Sequence, residues 1–285
     1  MDTKRVRPNL DDAWQPGMCN SIQEYLQVAY GKLHQSGHIY AFRGVTRHFP
    51  NLWPSIDRRE IPPDTRVGIE TDLLRDSLDR AWDHLTSQEQ RRCLLAQTRW
   101  GEKRNTGAMV VARHRMVPTR CIDWTDDPLH ALLFACEDDS ASAGDVWWFD
   151  RTEFDHCVGA QWPALFGKAA HVVDDIEQDF IAGKHSRWIT ALGYMLLPDD
   201  RLDRQKAWIT VAGRLGTCHA RKIHRLGVRE KGRLLIPARL KAEAMALLAQ
   251  MGITREALGI PHDDPADKIA TQIREQFEQN FPAKS

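Results

Sequence analysis

Residues 120–136, RCIDWTDDPLHALLFAC, constrain the fold more than any other segment of the chain. The first part has the composition of a strand, and this pattern breaks at Asp126-Asp127-Pro128. Two acids followed by proline favour the start of a helix, because acids complement the free N–H groups of the first turn. The apolar residues that follow have the spacing of one buried helix face: Leu129, Leu132, Leu133 and Cys136. The segment therefore predicts a strand, a turn and a buried helix.

The rest of the sequence predicts an α+β fold with strands and helices in mixed order. Strands are predicted at 38–43, 146–149, 207–211 and 233–236 from their β-branched and aromatic content. Helices are predicted at 21–34, 69–85, 87–101, 240–250 and 267–277 from apolar periodicity and end signals. The segment 107–114 fits either type, and 155–200 gives no readable pattern. The quoted strand, its helix and the strand at 146–149 together have the length of a small crossover unit.

The charge balance limits the partners that the whole chain can attract. The sequence contains 39 lysines and arginines and 39 aspartates and glutamates, so no global field steers it toward nucleic acid or an anionic membrane. No apolar run approaches the roughly 20 residues that span a bilayer. The first residues lack the apolar core of a signal peptide. We therefore expect a cytoplasmic protein with no membrane partner.

Cysteine, histidine and motif patterns exclude several common chemistries. The six cysteines are scattered without a CxxC pair, which is typical of reduced and buried thiols. The 12 histidines have no ligand-like spacing, so no metal site is predicted. The absence of GxxxxGK[ST], GxGxxG, GxSxG and HExxH argues against a P-loop enzyme, a dinucleotide-binding Rossmann fold, an α/β-hydrolase and a zincin.

Polar side chains gather where the quoted strand meets its helix. Hydroxyls, a cation, an acid and an indole lie just before a helix N-terminus, where free backbone N–H groups attract anions. This combination suits an anion or nucleotide pocket; its members are Thr119, Arg120, Asp123, Trp124 and Thr125. In the structural alternative, Arg120 and Asp123 pair with neighbouring charges and Trp124 fills the core. The sequence leaves both interpretations open.

A second candidate cluster is YAFRGV, residues 40–45. Arg43 ends an apolar strand, and a guanidinium binds phosphate or carboxylate through two parallel hydrogen bonds. Gly44 follows it and permits close approach of the backbone to a ligand. The simpler alternative is an ordinary strand end.

Taken together, these segments resemble the FRG-domain family, named for its Phe-Arg-Gly motif. The resemblance rests on YAFRG at 40–44, LWPSIDR at 52–58, ARHRMVPTRCIDWT at 112–125 and the Ala131–Ala135 helix, and extends over about 40–260. Three positions differ from the usual motif, since Arg113, Arg115 and Met116 replace glutamine, tyrosine and glycine. In a later family element Trp208 stands in place of glutamine. The resemblance divides the chain into an N-terminal helical extension at 1–37, the FRG domain at 38–260 and a C-terminal amphipathic helix at 261–285.

The layout of this family resembles that of ADP-ribosyltransferases. The resemblance implies a mixed, mainly antiparallel sheet with flanking helices and an activity that consumes NAD as its substrate. Arg43 would hold the phosphates, Gly44 and Arg120 would also contribute to cofactor binding, and Trp124 would stack on nicotinamide. His114, with Thr119 or Thr125, would form hydrogen bonds to the ribose or the carboxamide. Asp123 or Glu70 would stabilise the cationic sugar. The acceptor would be protein or nucleic acid, and the biological role that of a toxin or phage-defence effector.

Two other function classes stay open at this stage. A domain without a placed catalytic acid would bind or sense a nucleotide without turning it over. A nucleic-acid-binding protein is suggested instead by the basic run HARKIHRLGVREKGR, residues 219–233, and by further basic residues at 91–92, 103–104, 113, 115 and 120, because basic residues on one face can follow a phosphate backbone.

Overall fold

The computed structural model describes residues 14, 16–35, 37–90, 93, 106–138, 141–166, 189–192, 200–260 and 263–284. Its strands are β1 (Pro16–Met18), β2 (Tyr40–Val45), β3 (Cys121–Thr125), β4 (Gly144–Asp150), β5 (Ile189–Leu192), β6 (Ala207–Ala212) and β7 (Lys231–Ile236). Its α-helices are α1 (Ile22–Leu33), α2 (Arg66–Ala81), α3 (Thr106–His114), α4 (Pro128–Cys136), α5 (Arg151–Phe166), α6 (Asp200–Gln205), α7 (His219–Leu226), α8 (Ala238–Gln250) and α9 (Pro265–Asn280). Short 3-10 turns lie at Ile56–Arg58 and Trp82–His84. Most of the predicted helix at 87–101 lies outside the described residues, as does much of 155–200.

The described strands form one seven-stranded sheet in the order β1-β7-β4-β2-β3-β6-β5. The β1–β7 pair is parallel, and the other pairings within the described sheet are antiparallel. The predicted α+β class with a mixed, mainly antiparallel sheet and flanking helices is therefore confirmed. β3 and β4 run in the same direction because both are antiparallel to β2. The helix between them, α4, is thus the predicted crossover, with β2 inserted between the two strands that it joins.

The sheet opens between β2 and β3. These strands share one register pair, Phe42 with Thr125. By contrast, β2 is paired with β4 from Tyr40 to Val45, and β3 is paired with β6 along its whole length. Beyond Phe42, the second half of β2 therefore diverges from the first half of β3 and leaves a gap in the middle of the sheet.

The strand-turn-helix segment forms as its sequence predicts. Asp127 caps α4, since its Oδ1 accepts a hydrogen bond from the backbone N–H of Leu129 at 2.9 Å. Pro128 occupies the first turn of the helix. The helix is buried almost throughout and belongs to a hydrophobic cluster with α1, α8 and one face of the sheet. A second cluster covers the other face and contains the core tryptophans.

Helix α4 packs unusually close to β2 and β4, and two glycines make this contact possible. A Cβ atom built on Gly44 would lie 1.9 Å from the carbonyl oxygen of Ala131. One built on Gly144 would lie 2.2 Å from the carbonyl oxygen of Ala135. The small residues of α4 and the glycines of the strands therefore form one packing unit. The close packing of α4 therefore requires glycine at position 44. The sequence context suggests a different reason for this glycine, namely close approach of the backbone to a ligand.

Both chain ends contribute to this architecture. β1, from the predicted N-terminal extension, is an edge strand of the sheet. Helix α9 extends the predicted 267–277 helix at both ends and buries Ile273 and Phe277. The C-terminal segment then pairs with the loop after β2, because Arg59 bridges to Ala283 and Lys284 donates its backbone N–H to the carbonyl of Arg58 at 2.9 Å.

Candidate functional site

A pocket of about 290 Å³ fills the gap between β2 and β3. Its volume lies at the small end of the range of about 300–1,000 Å³ that is common for small-molecule sites. The walls come from β2, β3, the last residues of α3 and α4, helix α6 and the loop after β2. The charged and titratable residues that line it are Arg43, Arg58, Arg113, His114, Asp123, Glu137, Asp138 and Arg201.

Arg43 and Asp123 face each other across the gap. Nη1 of Arg43 donates to the backbone carbonyl of Asp123 at 2.7 Å and lies 3.7 Å from its Oδ2. The guanidinium of Arg113, at the end of α3, approaches the same Oδ2 through Nε and Nη2, each at 2.6 Å. The two separate sequence clusters thus meet in one pocket, where two guanidiniums share one carboxylate.

Arg58 adds a third cation from the 3-10 turn after β2. Its Nε donates to the carbonyl of Trp53 at 3.1 Å, and its guanidinium lies 4.9 Å from the ring centre of Phe49. Within the described part of the chain, the structure pairs no carboxylate with Arg58. Burial and the charge of Arg113 lower the pKa of Arg58 to about 10 and that of Arg43 to about 9. The three guanidiniums on this side of the pocket therefore carry more positive charge than the carboxylate of Asp123 neutralises.

The pocket residues Arg43, His114 and Asp123 each have one buried polar atom without a hydrogen-bond partner among the described residues. These atoms are Nε of Arg43, Nε2 of His114 and Oδ1 of Asp123. Buried polar groups are almost always hydrogen-bonded in folded proteins, so such atoms in a pocket are candidates for ligand contacts. They offer a ligand one donor, one acceptor and one imidazole nitrogen.

The protonation states at the pocket follow from burial and neighbouring charges. Burial opposes ionisation of Asp123, but the cations Arg113 and Arg43 outweigh it and hold the pKa of Asp123 below its usual range. Burial, assisted by Arg201, lowers the pKa of His114 to about 3, so its imidazole is neutral at pH 7. Burial raises the pKa of Glu137, although Arg255 donates to it at 2.8 Å.

Several predicted site residues have other partners in the structure. The indole of Trp124 donates to Thr210 Oγ1 at 2.9 Å and packs edge-on against Phe149 with ring centres 4.7 Å apart. Trp124 borders the pocket, yet with 2% exposure its ring belongs to the core, which corrects the predicted stacking role. Thr125 also borders it, but its hydroxyl donates to the carbonyl of Gln205 at 2.7 Å and accepts from Asp127 N at 3.1 Å.

Glu70, Arg120 and Thr119 do not line the pocket. Glu70 Oε2 accepts from Arg120 Nε at 2.7 Å, and its Oε1 accepts from the Arg120 backbone N–H at 2.8 Å. The hydroxyl of Thr119 accepts from the Cys121 backbone N–H at 3.3 Å. Glu70 lies one turn inside α2 instead of at its start. Arg120 therefore forms an ion pair, as the structural alternative predicts. Its partner is Glu70, which is distant in the sequence.

Sequence reasoning did not assign Arg58 or Glu137 to the site, and it treated Arg113 as a departure from a motif and as one of several basic residues. Arg113 had a usable signal, because it occupies the last turn of the helix that leads into β3. Arg58 and Glu137 had none, since their neighbours in the pocket come from distant parts of the chain.

The basic run at 219–233 does not form one continuous cationic face. Arg221 and Arg225 of α7 are exposed, but Arg229 pairs with Glu153 at 2.8 Å. Arg233 is buried and pairs with Asp145 at 2.8 Å. The run is divided among a helix, a turn and a strand that point their charges in different directions.

The buried neutral histidine predicts a loss of stability in mild acid. A histidine whose pKa is lowered by folding stabilises fully above its unfolded pKa of about 6.5, and this contribution is lost as the pH falls toward about 3. When the pH falls from 6.5 to 4.5, the burial of neutral His114 should lower the free energy of unfolding by about 2–3 kcal/mol. Urea titrations at both pH values should show this loss reduced in His114→Gln. The exposed His84→Gln is the control, and an unchanged acid slope in His114→Gln would contradict the assignment.

One comparison with known proteins covers the part of the chain that forms most of this pocket. Residues 38–144 match the model of the FRG domain, and this range carries β2, β3, α4 and most of the charged residues of the pocket. No curated protein and no solved structure matches the chain. Among the described helices, none has the length and apolar character needed to cross a membrane. The match shows that the chain carries an FRG domain at residues 38–144.

Proposed function

We propose that the pocket between β2 and β3 binds an anionic nucleotide, and that the chain acts on NAD as an ADP-ribosyltransferase. The observation that carries the proposal is the excess of buried positive charge. Arg43 and Arg113 share the carboxylate of Asp123, and Arg58 lines the same pocket without a carboxylate partner among the described residues. Guanidiniums bind phosphates strongly through charge-assisted hydrogen bonds. A phosphate group would offset the burial and the repulsion from Arg113 that lower the pKa values of Arg43 and Arg58.

The size of the pocket limits which part of NAD it would enclose. A volume of about 290 Å³ suits the phosphate-bearing portion with one ribose or ring. The remainder of the dinucleotide would lie along the open side. The three unpartnered atoms of Arg43, His114 and Asp123 suit a ribose diol or a carboxamide, because both groups donate and accept hydrogen bonds.

Beyond binding, ADP-ribosyl transfer requires the protein to stabilise a cationic sugar and to take a proton from the acceptor. The bond from ribose C1 to the nicotinamide nitrogen breaks, nicotinamide leaves with the electron pair, and the sugar passes through a cationic state. The ionised Asp123 is the acid nearest to the guanidiniums and would stabilise that cation. The acceptor then forms a bond to C1 and loses a proton. Glu137 is our candidate for the group that takes this proton, because burial raises its pKa toward the operating pH.

Arg43→Ala should weaken nucleotide binding by roughly 100-fold, since it removes a charge-assisted phosphate contact from a partly enclosed site. Isothermal titration calorimetry with NAD, AMP and ADP-ribose would measure this loss. The matched control is Arg75→Ala, which removes an exposed guanidinium paired within its own helix to Asp72. The thermal midpoint of Arg43→Ala should stay within a few degrees of the parent protein. Equal affinities of the two variants would refute the role of Arg43.

A binding or sensing domain without turnover is the second candidate. The observation that favours it is the position of Asp123 between two guanidiniums, which neutralise much of the charge that a cationic sugar needs. Mass spectrometry of the protein incubated with NAD and a lysate separates the two candidates. Free nicotinamide or a transferred ADP-ribosyl mass supports the transferase, whereas tight binding without either product supports the sensing domain. A role as a toxin or phage-defence effector, with a protein or nucleic-acid acceptor, stays a prediction.

A further inference from the structure

Met116 adopts a backbone conformation that favours glycine. Its φ is 67°, in the left-handed region. It lies two residues after the end of α3. Its N–H donates to the carbonyl of Arg113, and the N–H of Val117 donates to that of Ala112, both at 2.9 Å. These two hydrogen bonds form a Schellman motif, which ends helices with a left-handed residue that is usually glycine. A side chain with a Cβ atom is disfavoured at this position.

The side chain of Met116 nevertheless lies at the pocket. It lines the pocket and is 47% exposed, so it does not serve to fill the core. The other apolar residues of the pocket wall include Phe49, Phe134 and Ile260, while the cations and Asp123 form its charged part. A thioether side chain is flexible and makes favourable contacts with aromatic rings. An unfavourable backbone conformation that is retained at a pocket points to a role for the side chain it carries.

We infer that Met116 contacts the planar ring of the bound nucleotide at the mouth of the pocket. The inference rests on the nucleotide-binding function proposed above. In this arrangement the phosphate lies among the guanidiniums, and the base or nicotinamide ring lies between Met116 and the apolar wall. Met116 thereby selects ligands that carry an aromatic ring over sugar phosphates that do not.

A pair of ligands that differ only in the base tests this assignment. Met116→Gly should lower the affinity for AMP by about 5- to 10-fold, which corresponds to loss of a partly buried methionine contact. The affinity for ribose 5-phosphate should change by less than about twofold, because this ligand keeps the phosphate and sugar but has no ring. Met116→Leu, which keeps apolar bulk in the same backbone conformation, should bind AMP nearly as well as the parent protein. The thermal midpoint of Met116→Gly should be equal or higher, since glycine suits the left-handed position.

The possible results separate the two proposals. If the parent protein binds neither AMP nor ribose 5-phosphate, the nucleotide-binding function fails and the role of Met116 fails with it. If the parent binds both and Met116→Gly binds AMP equally well, only the role of Met116 is overturned. If Met116→Gly loses both ligands in parallel, the residue shapes the turn and does not contact the ring, which also overturns the inference.

Discussion

Replacing Gly44 with alanine is expected to lower the free energy of unfolding by about 3 kcal/mol or more, which is at or beyond the upper end of ordinary overpacking. The new Cβ would lie 1.9 Å from the carbonyl oxygen of Ala131 and 2.7 Å from the backbone nitrogen of Ala135. Both neighbours belong to the backbone of α4, so no side-chain rotation can relieve the clash. The helix would have to move away from β2, and the pocket wall that β2 provides would move with it.

Chemical denaturation with urea would measure this effect, and the chain offers a matched control glycine. Gly31 lies on the exposed side of α1, where an added Cβ would meet nothing within 4 Å. Gly31→Ala should raise the free energy of unfolding by about 0.5–1 kcal/mol, because alanine is the better helix former. A Gly44→Ala protein with the urea midpoint of the parent would show that α4 and β2 are less tightly packed than the structure indicates.

Gly44 also illustrates which parts of this molecule the sequence could predict. The strand, the turn and α4 follow from local signals: a β-rich run, two acids, a proline and an apolar stripe. The sequence also singles out Arg43 and Asp123, which both line the pocket, although each lies inside its strand and not at the strand end that the sequence suggested. The contact that requires glycine joins residues about 90 positions apart, so no local pattern reveals it. The Phe-Arg-Gly motif thus combines a ligand-binding candidate, Arg43, with a packing residue.

The ambiguity of α3 has a different physical cause. Its residues 108–114 are all buried, so the segment lacks the alternation of apolar and polar faces that identifies most surface helices. The same burial makes Arg113 and His114 informative, since both point into the interior at the pocket. The position of the Trp124 ring has a similar cause. The ring contacts Thr210 and Phe149, which lie far from Trp124 in the sequence, so local patterns do not reveal that it belongs to the core.

Glu70→Ala is expected to cost about 3–5 kcal/mol of unfolding free energy, because it leaves a buried guanidinium without its carboxylate. The side chains of Arg120 and Glu70 are only 1% and 2% exposed. Burial alone would lower the pKa of Arg120, but the negative charge of Glu70 outweighs it and raises that pKa. Asp72→Ala is the matched control, since its ion pair with Arg75 is exposed and should contribute less than about 0.5 kcal/mol.

A double substitution separates this structural role from the catalytic role that the sequence suggested. Glu70→Leu combined with Arg120→Met replaces both charges with apolar groups and should recover much of the lost stability, as is common when a whole buried ion pair is removed. Urea titration of both variants gives the comparison. In the same double variant, NAD affinity should stay within about threefold of the parent value, because neither residue lines the pocket. A double variant that folds but no longer binds NAD would contradict this assignment. It would show that Glu70 or Arg120 contributes to NAD binding as well as to stability.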